Sequence, residues 1–344
     1  MTQPEPTTSA ATSRAKLTSK SPSTFRPRRW SLQGFASRTA VIGLWIVLIV
    51  FYAIIEPNSF LQYGTFSAIF GSQLALMFLG LALVCVFLVG EFDLSVASNL
   101  GLASTVVAVL VVLHHTPIPL ALAIAVASSV VFGLVNGALI VIVGINAIVV
   151  TLGMGTFMTG LALAIANDNT VQGLPNSLAA IANTNFLGLP ISFFYGVIAA
   201  LIITYVLNFT SLGRHMKFIG ANPEVARLAG VRVRTIRIGS YATSGLLCGI
   251  GGIILVSSLG GFDPSSSPTY LLPAFSAVFL GTAIIQPGVF NPIGTLVAIF
   301  FLATGILGLQ ILGFTGWVSD VFYGAALIVA VTVSTLVRRR KTHF

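Results

Sequence analysis

TSLGRHMKFIGANPEVARLAGVRVRTIR, residues 210–237, carries six of the seventeen Lys and Arg residues of the chain: Arg214, Lys217, Arg227, Arg232, Arg234 and Arg237. No Lys or Arg occurs between residues 39 and 213, and after Arg237 the next is Arg338. A cation at the centre of a bilayer costs about 2.5–3.5 kcal/mol on insertion scales. An isolated basic segment between long apolar runs therefore belongs at a water interface, and it splits the chain into two sets of membrane spans. Its centre reads as a short helix. Asn222 is a capping residue, Pro223 suits the first helical position, Glu224 complements the positive end of the dipole, and Gly230 is the natural stop. Val225, Leu228 and Ala229 at i, i+3 and i+4 make one apolar face. So short a helix is marginal in water, and its face needs a receiver. From the residues alone two receivers stand: lipid headgroups, with arginines on phosphates, or a soluble cytoplasmic partner.

Working outward, the 344 residues are 56% hydrophobic and only 7% charged, where soluble chains are nearer a quarter charged. The mean hydropathy is +1.00. The expected class is an all-α polytopic membrane protein. A net charge of +9 would suggest nucleic acid in a soluble protein. Here the cations fall in three clusters of seven, six and four, each accounted for by orientation in a membrane, so lipid and not nucleic acid is the expected partner. Cys85 and Cys248 lie inside apolar runs and read as small buried residues. The four histidines match no metal pattern, and His114-His115 marks a water-side turn before Pro117.

Residues 1–38 are rich in Ser, Thr, Pro and basic residues and read as a disordered cytoplasmic tail. Apolar runs occupy 39–56, 66–89, 94–114, 118–143, 146–166 and 191–209, with the longest loop at 168–190. After the basic segment come 238–259, 270–285, 289–312 and 317–337, then a basic tail over 338–344. Each run approaches the ~20 residues that cross ~30 Å of hydrocarbon. Keeping all three basic clusters on one side requires an even number of spans between them. Six plus four gives about ten helices, or eight if two of the runs before Arg214 are re-entrant, with both termini cytoplasmic and a short cytoplasmic helix between the two sets. Glycines such as Gly153, Gly155, Gly160, Gly245, Gly249 and Gly252 let helices approach closely in lipid.

Polar groups inside the runs are few. Asp93, in the segment GEFDLS, reads as an N-cap accepting from the backbone of Ser95 or Val96, or as a break lining a path. Glu91 beside it reads as a surface acid. Asn99, Asn136, Asn146, Thr151 and Gln310 need partners in lipid. With Asp93 and Ser95 they suit either a path for a neutral polyhydroxylated solute or hydrogen bonds between helices. No mid-span acid or base suggests an ion relay, and no phosphate loop, HExxH or Ser-His-Asp pattern is present. No enzymatic activity, metal or cofactor is expected of this chain, so uphill movement needs energy from another.

Four segments then carry a family resemblance. GEFDLSVAS at 90–98 resembles the G-G-x-D-L-S-V-G-S segment of the ribose-type sugar permeases of bacterial ABC importers. NAIVVTLGMGTFMTGLAL at 146–163 is similar to their P-F-I-V-T-L-G segment. Residues 210–233 resemble their F-G-R-x-x-x-A-x-G-x-N-x-x-A-A-x-x-S-G-I segment, and SGLLCGIGGII at 244–254 is similar to the glycine-rich run just after it in those permeases. The resemblance implies a cytoplasmic coupling element, here Gly220, Asn222, Pro223, Glu224, Ala226, Arg227 and Gly230, seated in a groove of a separate ATPase subunit that holds ATP and magnesium. It also implies a second permease copy, identical or paralogous, an extracytoplasmic sugar-binding protein docking near Asp168 and Asp263, and residence in the bacterial inner membrane. Departures are Glu91 and Ala97 at two motif glycines, and Pro273, Gln286, Pro287 and Asn291 where the family has an acid and glycines. These leave the scaffold expectation standing and the solute open. Against the related branched-chain amino-acid permeases stand the DLSV segment and the lack of a basic pocket for a carboxylate. An ion-coupled carrier or a non-transporting anchor would be set apart by what energises uptake, if anything.

Overall fold

The computed structural model describes residues 32–286 and 288–342. Residues 1–31 of the expected tail, together with Pro287 and His343-Phe344, lie outside the described residues. The first helix, α1 (Leu32–Ile55), begins inside the segment read as a tail, because no proline or glycine pair interrupts the chain between Leu32 and the apolar run. The last, α15 (Trp317–Thr342), continues past the expected end at 337.

Between them the chain is helical with small exceptions. After α1 come α2 (Pro57–Phe60), α3 (Tyr63–Gly71), α4 (Leu74–Phe87), α5 (Val96–Ala108), α6 (Ile118–Ala138) and α7 (Ala147–Ile165). α5 and α6 each end in a π-helical turn. The loop at 168–190 is more structured than expected: it holds β1 (Val171–Gln172), α8 (Asn176–Asn183), β2 (Asn185–Phe186) and β3 (Leu189–Pro190). Next come α9 (Ile191–Phe209), α10 (Ser211–Ala221), α11 (Pro223–Leu228), α12 (Val233–Leu259), β4 (Gly261–Phe262), α13 (Leu271–Gly281) and α14 (Pro292–Ile311).

α4 is the axis. Every one of its residues is buried, as a helix apolar on all sides must be when it is ringed by others. α5, α9, α12, α13 and α14 pack around it. α6, α7 and α9 keep apolar outer faces, with Leu134, Val149, Leu152, Leu201 and Ile202 exposed, the pattern of a surface that meets hydrocarbon rather than water. α6 and α12 are pressed together through glycines. A Cβ on Gly133 would collide with the Tyr241 carbonyl, and one on Gly245 with the Ser129 carbonyl. Here the expected close approach is realised as backbone against backbone.

Contacts sort the connections into two ends. At one, β1 pairs antiparallel with β4, Asn183 bonds Ser258, and Tyr63 Oη donates to the Gly188 carbonyl. At the other, Gly90 meets Gly220 and Glu91 pairs with Arg237. α3–α4 and α9 therefore run from the first end to the second, and α12 returns.

Among the described residues seven helical stretches are long and apolar enough to cross a membrane: Tyr63–Phe87, Val96–Leu113, Ile118–Val143, Ala147–Ile165, Ile191–Phe209, Val233–Leu259 and Pro292–Ile311. Val41–Ile55 and Trp317–Thr332 are shorter apolar helices. The run at 270–285 differs most, giving only the 11-residue α13. Pro264 and Pro268 hold its approach in a tight 3-10 turn, Pro264–Tyr270. Beyond Gly281 the chain unwinds, and the Asn291 amide donates to the carbonyls of Gly281, Ile284 and Val289 at 3.2 Å each. Those contacts satisfy carbonyls that a continuing helix would have used.

Candidate functional site

The basic segment folds as two helices. In α11 Asn222 Oδ1 accepts from the backbone N–H of Glu224 (3.0 Å) and Val225 (3.1 Å), with Pro223 at the first position, as the capping pattern requires. Gly230 takes the left-handed conformation, φ +80°, and the Val231 N–H returns to the Ala226 carbonyl at 3.0 Å, closing the helix. Ala226 faces inward, fully buried, while Val225 is 46% and Leu228 84% exposed. The apolar face thus points away from the protomer. Glu224 and Arg227 pair at 2.6 Å across one turn, each 69% exposed, which stabilises the helix by only about 0.3–0.5 kcal/mol. Arg227, Arg232 and Arg234 line a recess of about 270 Å³ beside it.

Two contacts join this segment to the break between α4 and α5. Gly90 turns the chain at φ +83°, and a Cβ on Gly220 would collide with the Leu88 carbonyl. The Glu91 carboxylate meets the Arg237 guanidinium, both mostly buried. Glu91 is therefore not the surface acid expected. Its partner lies on the root of α12, and no local spacing reveals a pairing between residues so far apart. Replacing Arg237 with Leu is expected to cost about 2 kcal/mol by stranding a buried carboxylate. Adding Glu91→Gly should recover most of that loss, as a double-mutant cycle of thermal stability in detergent will show.

Beyond Glu91 the break is held by polar groups from four helices. Tyr241 Oη donates to the Phe92 carbonyl at 2.9 Å, and the Leu94 N–H donates to Thr151 Oγ1 at 3.1 Å. Asp93 Oδ1 accepts from the Ser95 N–H (3.0 Å) and hydroxyl (2.6 Å), and Oδ2 from the Ser244 hydroxyl at 3.0 Å. Asn136 donates to Ser95 Oγ at 2.9 Å, and Asn99 to the Ser129 carbonyl at 3.1 Å. Asp93 thus makes the expected local bond, but α5 starts at Val96 rather than Leu94, since the Asp93 turn and the Thr151 contact occupy the preceding residues.

Of the residues expected along a path, Asp93, Ser95, Asn99, Asn136 and Thr151 come together, all buried. Asn146 does not. It is exposed and caps α7, accepting from the Ile148 N–H at 2.9 Å. Gln310 lies apart as well, lining a cavity of about 120 Å³ with Ser72, Gln73 and Tyr323. Asn99 Oδ1, Asn136 Oδ1 and Ser129 Oγ are buried without a partner among the described residues, so the cluster has hydrogen-bonding capacity to spare. At the opposite end Asp263 Oδ1 accepts from the Ser265 N–H at 2.9 Å and caps the 3-10 turn.

A larger cavity, about 520 Å³, lies where the break, the last turn of α10 and the unwound stretch before α14 meet. Phe87, Phe92, Phe279 and Phe290 wall it, with Glu91, Lys217 and Gly220 at its polar side. Lys217 Nζ donates to Asn208 Oδ1 at 2.9 Å, and partial burial lowers its ammonium pKa from the usual lysine value.

The basic segment thus presents a short, capped, outward-facing helix, and the helices on either side of it reach the break through Gly220 and through the Arg237–Glu91 ion pair. The model of the family described as "branched-chain amino acid transport system / permease component" matches residues 64–331. The chain belongs to this family, whose members are ABC-importer permease subunits without enzymatic activity of their own, and it is a multi-pass inner-membrane protein. It is similar to the autoinducer 2 import system permease protein LsrD of Escherichia coli K12, 30% identical over 299 residues, covering 85% of this chain and 90% of the relative. The LsrD protein of Photorhabdus laumondii is 31% identical over 307 residues, 87% of this chain and 91% of the relative. No solved structure matches.

Proposed function

We propose that the chain is the path-forming half of an importer for a neutral polyhydroxylated solute, a monosaccharide or related polyol, or the autoinducer 2 named for its relatives. An extracytoplasmic binding protein delivers the solute, and a second permease copy completes the path. On this reading ten crossings are made. The seven long stretches are joined by α1, by α15, and by α13 with its preceding 3-10 turn, and both termini are cytoplasmic. The observation that carries the reading is α11, a fully capped helix that exposes Val225 and Leu228 where nothing among the described residues covers them. A motor subunit that receives this face would pass its closure through Gly220 and Glu91 to the break. The buried oxygens and amides of Asp93, Ser95, Asn99, Asn136 and Thr151 are neutral or internally satisfied donors and acceptors, which suits hydroxyls better than ions.

The family description favours a second reading, a branched-chain amino acid as solute. Among the described residues Arg237, which touches the break, is already paired with Glu91, and Lys217 lines the neighbouring aromatic cavity and makes no hydrogen bond to the Asp93–Asn136 cluster, so that cluster has no free cation to hold an amino-acid carboxylate. Uptake into vesicles carrying the permease, its ATPase and its binding protein separates the two. Accumulation of pentoses, hexoses, polyols or autoinducer 2 that needs ATP and survives collapse of the proton and sodium gradients is expected. Accumulation of leucine alone would establish the second reading, and gradient-driven uptake without ATP would overturn both.

A further inference from the structure

The 520 Å³ cavity beside Lys217 is within the ~300–1,000 Å³ range of ligand sites, yet nothing in the transport scheme uses it. Its walls are unusually aromatic. Phe87 contacts Phe92, Phe279 and Phe290 with ring centroids 5.3, 5.4 and 5.0 Å apart, and Phe279 contacts Phe290 at 5.6 Å. Its polar side carries an uncompensated charge. Glu91 is neutralised by Arg237, whereas Lys217 has only the neutral Asn208 as partner; among the described residues no carboxylate pairs with it. The ammonium has three donors, and Asn208 takes one.

A neutral solute would leave that charge unmet. A free inorganic anion would leave the phenyl walls against water. An anion with a hydrocarbon body satisfies both. Asn208 belongs to α9, whose outer face exposes Ile198, Leu201, Ile202 and Tyr205, so the charged side of the cavity adjoins a helix that meets hydrocarbon. The cavity is too small for a whole phospholipid but fits a phosphate group and the beginning of one chain.

We propose that this cavity seats an anionic phospholipid of the cytoplasmic leaflet, its phosphate on Lys217 and the start of one acyl chain along Phe87, Phe279 and Phe290. The leaflet assignment rests on the orientation proposed above. The occupant touches both Gly90 of the break and Gly220 of α10, the two sides of the joint between coupling segment and spans. The charge of the inner leaflet then tunes how firmly that joint closes. Basic pockets between helices on the cytoplasmic side bind lipid phosphates by this chemistry.

The test uses the complete importer, purified in mild detergent and examined by native mass spectrometry after exposure to phosphatidylglycerol and phosphatidylcholine. One phosphatidylglycerol retained per permease is expected. Lys217→Met should lower its retention about tenfold, the equivalent of one charge-assisted hydrogen bond, and Lys217→Arg should keep it. Co-purification of the ATPase serves as the check on folding. In nanodiscs, adding phosphatidylglycerol should change the ATPase rate of the wild type and leave the Lys217→Met rate unmoved. Equal retention of the two lipids, or retention indifferent to Lys217→Met, overturns the proposal. So does displacement of the lipid by soluble glycerol phosphate, which would make the ligand a free phosphate. Should the ATPase fail to co-purify with the wild-type permease, the transport reading falls, while lipid retention by the permease alone still decides this one.

Discussion

Exchanging the charges of Glu224 and Arg227, by Glu224→Arg with Arg227→Glu, is expected to abolish solute uptake by the assembled importer while ATP hydrolysis continues. The two side chains pair with each other across one turn of α11, so the double exchange preserves their mutual attraction. Its intrahelical cost is the misplaced cation near the positive end of the helix, about 0.3–1 kcal/mol. That is too little to unfold a segment also held by the Asn222 cap and the Gly230 turn. What the exchange does invert is the charge pattern offered to whatever lies against Val225 and Leu228. Uptake and ATPase assays on the same preparation check it. Uptake and ATPase assembly both at wild-type levels would mean that α11 is not the docking element, and the proposed route of coupling would have to be abandoned.

The second large effect concerns folding. Gly245→Val places a Cβ against the Ser129 carbonyl oxygen, and the obstacle is backbone, which no rotamer change relieves. Overpacking of this kind costs about 1–3 kcal/mol, sometimes more. The same carbonyl accepts the Asn99 amide, so separating α6 from α12 also loses that bond, about 1 kcal/mol. We expect little folded protein to survive extraction, scored by fluorescence-detected size exclusion with heating. Gly239→Val is the control. It lies on the same helix with nothing within 4 Å of its added Cβ, and should behave close to wild type.

Sequence carries the features that depend on neighbours along the chain. Apolar runs mark where helices are, and the Asn222-Pro223-Glu224 start with the Gly230 stop places α11 to the residue. Asp93 is also readable, because its bond to Ser95 is local. Glu91 is not: its pairing with Arg237 depends on how α4 and α12 meet, which no periodicity encodes. Thr151 is legible as a polar residue wanting a partner, but not that its partner is the Leu94 N–H in the break. Asn146 shows a local task that its motif does not announce. It sits in a motif shared with permeases and looks like a path residue, yet its oxygen is spent capping α7. α13 is shorter than its apolar run because Pro264 and Pro268 hold its approach in a 3-10 turn and the Asn291 amide takes carbonyls that a longer helix would need. Hydropathy is blind to that competition.

Gly90 and Gly220 meet with no side chain between them. Where two elements touch through long side chains, a push on one can be absorbed by rotation about single bonds before the other feels it. Bare main chain against main chain has no such slack. If α11 is driven by a motor, the first tenths of an ångström of its stroke arrive at the break undiminished, as in a rigid linkage rather than a sprung one.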